Sequence, residues 1–107
     1  MIKHEYNDMR SIPRYSASEA ARYVWVNPVT LANWAKKRTL FPDMSEHSGR
    51  WTFYNLMEAH VLASLRLHHR IPMGRVNRAI DWIKSQYGIE HPLLHPDLAT
   101  DGFHRFI

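Results

Sequence analysis

Two helix-start signals lie close together in the first third of the chain, and the stretch between them constrains the fold more than any other feature. Ser16-Ala17-Ser18-Glu19 has capping-box spacing, in which the Ser hydroxyl and the Glu carboxylate each accept a hydrogen bond from an otherwise orphaned backbone N–H. Asn27-Pro28 is a second start: Asn is a good N-cap, and Pro suits a first helical position where its missing N–H costs nothing. The first signal predicts a helix from about Ala17 to Val24, with Ala20, Ala21 and Val24 on one stripe. Small alanines there let a second helix approach closely. The second predicts a helix from Pro28 with Leu31, Trp34 and Ala35 turned inward at i, i+3, i+4. Val29, Asn33, Lys36 and Lys37 are then left outward, with Thr30 and Ala32 at the margins. Trp25, Val26 and Asn27 must turn the corner.

A helix, a short corner and a second helix form the helix-turn-helix arrangement, whose second helix enters the major groove by its N-terminal part. After Arg38 the texture changes. Leu40-Phe41, a polar loop with Gly49, and the β-prone Trp51-Thr52-Phe53 read as a small two-stranded wing with Arg50 near its tip. A third helix, about Tyr54 to His69, is apolar around most of its circumference, as buried bundle helices and subunit seams are. A fourth, about Pro72 to Tyr87, carries Met73, Val76, Ala79, Ile80, Ile83 and Tyr87 on one stripe and ends at Gly88. Asp101-Gly102, followed by alternating Phe103, Arg105 and Ile107, predicts a hairpin-like tail. The organisation expected is an arm over 1–14, a winged helix-turn-helix domain with two further helices over 15–88, and an extension over 89–107 leading toward a toxin-binding segment.

Composition narrows the function. No apolar run approaches a membrane span, and the N-terminus has no signal-peptide core. With no cysteine there are no disulfides or thiolate metal sites, which is compatible with the reducing cytoplasm expected for the chain. The histidines His4, His47, His60, His68, His69, His91, His95 and His104 form no clustered ligand set. His60 and His68 are not an i, i+4 pair, His91 and His95 straddle prolines, and no H-x-x-x-H lies on a helix with an acidic companion, so neither metal nor cofactor is expected. The acidic residues are scattered, and no Gly-rich phosphate loop or nucleophile–base pair is readable, which argues against an enzyme. A balance of 14 Lys+Arg against 10 Asp+Glu, net charge +4, favours an anionic partner.

In this order the elements resemble a MerR-type winged helix-turn-helix, through "YSASEAARYVWVNPVTLANW". More narrowly, "IPRYSASEAARYV", "FYNLMEAHVLASLR", "RVNRAIDWI", "HPLL" and "TDG" together resemble the N-terminal DNA-binding domain of a group of VapB-type antitoxins, over about residues 12 to 106. The resemblance implies a mainly α fold, repression of a toxin–antitoxin operon through operator DNA, a homodimer on two half-sites, and a PIN-domain ribonuclease toxin as partner. The same fold could instead serve as a protein-interaction module that holds a toxin without touching DNA.

The residues expected to act are Val29, Thr30 and Asn33 facing bases, with Asn33 the amide able to read an adenine edge. Lys36, Lys37, Arg38 and Arg50 would meet phosphates. Arg75, Arg78 and Trp82, on the polar face of the fourth helix, form a candidate partner or dimer patch, since Trp and Arg are enriched at interface hot spots. Relatives of the implied family carry a small residue or Gly where this chain has Trp25. The bulk of the indole predicts burial against the third helix or a partner in place of a left-handed turn, so that Trp25→Gly would cost roughly 3 kcal/mol.

Overall fold

A computed structural model describes residues 9–37, 40–41, 44, 49–88 and 91–95. Its helices are α1 (Ala17–Val24), α2 (Pro28–Ala35), α3 (Phe53–Ala63) and α4 (Met73–Tyr87). Short turns of 3₁₀ helix stand at Met9–Ser11 and Pro92–Leu94, and α3 continues into a π-helical segment, Ser64–His68. The chain divides into two compact units, Met1–Ala59 and His60–Ile107.

In the first unit both sequence-coded starts form as expected. The Glu19 N–H donates to Ser16 Oγ at 3.2 Å, and the Ser16 N–H donates to Glu19 Oε1 at 2.9 Å. Donation from the Ser16 backbone N–H, and next from the Ser16 side chain, holds the Glu19 carboxyl below its usual pKa, with smaller help from the Arg22 and Arg50 guanidiniums. At the second start Asn27 Oδ1 accepts from the Val29 N–H at 2.8 Å. Ala20, Ala21 and Val24 of α1 and Leu31 and Trp34 of α2 are buried, giving the two helices the packed inner faces that their spacing predicts.

The expected wing is not there. Among the described residues there is no strand or sheet, so the fold is helical without a two-stranded wing. The hairpin-like tail at Asp101 to Ile107 lies outside the described residues and is removed from the fold class with it. Two local effects explain the difference. The N–H groups of Leu40 and Phe41 both donate to the Lys37 carbonyl, at 3.1 and 2.9 Å. That is a turn closed on itself, with its donors taken before any cross-strand partner could use them. Trp51 does pair, but backward: it makes an isolated antiparallel bridge with Tyr15, its N–H donating to the Tyr15 carbonyl at 2.8 Å. One residue later the chain is already starting α3. The Asn55 N–H donates to Thr52 Oγ1 and the Thr52 N–H to Asn55 Oδ1, both at 3.0 Å, a reciprocal cap that ends extended structure at Thr52.

Behind that cap sits a small polar core. Thr52, Asn55 and Glu58 are all buried, and Asn55 Nδ2 donates to Glu58 Oε1 at 3.1 Å. Phe41 and Trp51 are buried too, and their rings meet edge-to-face at 5.3 Å. Phe41 and Trp51 bury their faces in the core where a wing would have left one side of each strand in water.

In the second unit α4 buries Val76, Ala79, Ile80 and Ile83 completely, and Gly88 closes it in the left-handed region (φ 60°), its N–H donating to the Lys84 carbonyl at 2.8 Å. The π segment is marked by the His69 N–H reaching the Ser64 carbonyl at 3.0 Å, five residues back. Leu93, in the turn after α4, is buried as well. No helix of the described residues is long and apolar enough to cross a membrane.

Candidate nucleic-acid interface

The corner between α1 and α2 is where the structure departs most from expectation. Trp25 adopts φ 61°, ψ 44°, the left-handed conformation, and its side chain is 90% exposed. The burial within the chain expected for it is therefore incorrect, and the corner is the left-handed turn that the expectation had set aside. The backbone explains why. The N–H groups of Trp25 and Val26 both return to the Ala21 carbonyl, at 3.0 and 3.3 Å, wrapping the end of α1. That wrap turns Val26 inward, where it is buried, and throws the residue before it outward. The left-handed turn costs a non-glycine residue roughly 1–2 kcal/mol, and here no burial of the indole offsets it.

α2 presents the residues expected to face bases. Val29 is 68% exposed, Asn33 is exposed and Thr30 is half-buried at the margin. Lys36 and Lys37 are exposed at the end of the same helix, and Arg38 lies outside the described residues. Arg50 is not at a wing tip. Its Nη1 donates to the Arg14 carbonyl at 3.4 Å, beside the segment that leads into α1. The structure thus gathers Val29, Thr30, Asn33, Lys36 and Lys37 on α2 and sets Arg50 next to Arg14. Arg75, Arg78 and Trp82 belong to the second unit. There Arg78 is exposed, Arg75 is half-buried, and the half-buried Trp82 ring meets Tyr87 edge-to-face at 6.4 Å.

Sequence reasoning missed other members of this surface. Arg10, Arg14 and Arg22 are exposed in the first unit, as are Tyr23 (63%) and Trp25. Arg14 lies over the Tyr15 ring, 5.7 Å from its centroid, and Tyr15 meets Tyr23, near the end of α1, edge-to-face at 5.7 Å. The signal was present as Arg and Tyr flanking the capping box, but only the tertiary pairing of Trp51 with Tyr15 fixes where they stand. Among the described residues of this unit the exposed charges are Arg10, Arg14, Arg22, Lys36, Lys37 and Arg50, while Glu19 is half-buried in its cap and Glu58 is buried. These six cations are thus accessible, in a chain whose overall balance is 14 Lys+Arg to 10 Asp+Glu. Among the described residues no group of three or more His, Cys, Asp or Glu is placed to hold a metal ion.

The described residues form a helical protein with a capped corner, a second helix exposed along one face and accessible cations around the first two helices. Over 85% of its length the chain is 33% identical to a Mycobacterium tuberculosis (strain ATCC 25618 / H37Rv) protein named "Putative antitoxin VapB45", and it spans 44% of that protein's length. No family model matches the chain, and no solved structure matches it.

Proposed function

We propose that this chain is a non-catalytic, duplex-DNA-binding protein that acts as the antitoxin and autorepressor of a toxin–antitoxin operon. The observation that carries the reading is the set of cations around α1 and α2: among the described residues Arg10, Arg14, Arg22, Lys36, Lys37 and Arg50 are exposed, and α2 turns Val29 and Asn33 outward ahead of the two lysines. A surface of that kind suits a polyanion, because each phosphate neutralised releases condensed counterions. The similarity to a protein named as an antitoxin supports the regulatory role. On this reading Val29, Thr30 and Asn33 face base edges, and Lys36, Lys37, Arg38 and Arg50 engage phosphates, Arg50 from beside Arg14. A homodimer would place two copies of α2 on two half-sites. The toxin, a PIN-domain ribonuclease by the resemblance, would be held elsewhere, with Arg75, Arg78 and Trp82 as the candidate contact.

Binding of a labelled duplex from the region upstream of the reading frame tests this directly. Affinity is expected to fall steeply between 50 and 200 mM salt, and Lys36→Ala with Lys37→Ala to flatten the logarithmic slope by about 2, one for each phosphate contact removed. Binding indifferent to salt, or no binding at all, would remove the DNA-binding reading. It would favour the protein-interaction module instead.

A further inference from the structure

We propose that Trp25 is a DNA-positioning side chain, its indole lying on the sugar–phosphate edge of the duplex that α2 reads, with the ring face against deoxyribose and Nε1–H donating to a phosphate oxygen. The inference rests on the DNA-binding reading above and adds a contact that neither charge nor the helix-turn-helix pattern supplies.

Three observations lead to it. The conformation of Trp25 is left-handed, so glycine would make the same corner without strain, yet the chain carries its largest side chain there. That side chain is 90% exposed, so the strain is not offset by packing within the fold. Backbone strain that the fold does not need points to a use outside it. The surroundings then choose the partner. In the chain Trp25 lies between Tyr23 (63% exposed) and Val29 (68% exposed), and among the described residues of its unit Arg10, Arg14, Arg22, Lys36, Lys37 and Arg50 are exposed.

An indole offers an apolar face and one N–H donor, and it has no acceptor. A nucleic-acid backbone offers apolar sugar faces and acceptor-only phosphates, which is the complementary set. Trp25 also precedes α2 in the chain, ahead of the residues assigned to base edges, which suits a contact at the rim of the groove. Such a contact carries no sequence information. Being uncharged, it releases no counterion.

Those properties give a signature that separates Trp25 from a lysine and from a structural residue. The measurements are dissociation constants of the full chain for two labelled duplexes, one from its own upstream region and one scrambled, across a salt series, together with the melting temperature and sedimentation behaviour. W25G is expected to weaken binding of both duplexes about tenfold, the scale of one hydrogen bond and its apolar contact, with an unchanged salt slope. Its melting temperature should be equal to or above the wild type's. W25F, which keeps a ring but lacks the N–H, is expected to fall between the two. Wild-type affinity in W25G would overturn the proposal, as would a lowered melting temperature, which would make Trp25 a structural support. Loss of self-association in W25G would overturn it in favour of a subunit contact. Failure of the wild type to bind either duplex removes the broader DNA reading and this contact with it; wild-type binding with an unaffected W25G removes this contact alone.

Discussion

Two helices of this protein end in the same backbone conformation with very different residues. α4 closes on Gly88 at φ 60°, and α1 closes on Trp25 at φ 61°. In each, the N–H of the left-handed residue donates to the carbonyl four residues back, Lys84 in one case and Ala21 in the other. The geometry is shared, so the residue difference cannot be a requirement of the cap. Gly88 is the low-strain solution. Trp25 keeps the cap at a conformational cost, and the pair shows how a fold can carry a side chain for reasons that lie outside its own packing.

The comparison can be broken most forcefully at the core beneath the α1–α2 corner. Leu31 is 1% exposed, and Leu31→Ala is expected to cost about 2–5 kcal/mol, measured by denaturant unfolding. A smaller loss would mean that the corner is held by its backbone wrap more than by the packed faces of α1 and α2. The caps themselves come next. At Gly88 an added Cβ would meet nothing within 4 Å, so Gly88→Ala isolates the conformational cost, expected at about 1 kcal/mol. Trp25→Gly should be close to its mirror image, a gain of up to about 1 kcal/mol. Unequal magnitudes would reveal packing or denatured-state effects peculiar to the indole.

The smallest effect belongs to the N-terminal end of α1. The folded-state pKa of Glu19 is depressed, so its contribution is fully present above the unfolded carboxylate range. It is lost as pH falls through that range and past the depressed value. Glu19→Gln is therefore expected to flatten the acid side of the stability–pH curve while leaving neutral pH almost unchanged. An unaltered acid limb would mean that the cap bonds do not distinguish ionised from protonated Glu19.

The parts of the molecule that were legible in the sequence are those coded within one turn of helix. Ser16 with Glu19, Asn27 with Pro28, and Gly88 each announce a helix end because the bonds they make are local. The middle of the α4 stripe, Val76, Ala79, Ile80 and Ile83, was legible for the same reason, and so were the outward positions of Val29 and Asn33. Tyr87 at the end of that stripe is exposed, however, and Met73 at its start is half-buried. What failed was decided at longer range. Trp51-Thr52-Phe53 has strand-forming residues, but Thr52 is captured by Asn55 as a cap, and the Thr-x-x-Asn pair lacks the Glu or Gln that usually signals one. Leu40 and Phe41 have strand character too, and the Lys37 carbonyl takes both of their donors. Trp25 was judged by side-chain type, which favours burial, whereas the corner backbone decides which way it points. Of the candidate site, α2 was readable and the cations around α1 were not, because Arg14 and Arg50 meet only through the Tyr15–Trp51 bridge.

The uneven burial of the tryptophans also makes the protein its own optical probe. Of 4 tryptophans in the chain, Trp34 and Trp51 are buried at 5% and 2% exposure, Trp82 is half-buried, and Trp25 stands in water. Indole emission moves to longer wavelength in polar surroundings, so the red edge of the intrinsic spectrum belongs chiefly to Trp25 and the blue edge to Trp34 and Trp51. Acrylamide will strip the red component first. Whatever covers the corner will protect that component alone, while unfolding will erase the blue one, so a single unlabelled sample separates occupancy of this surface from the integrity of the core beneath it.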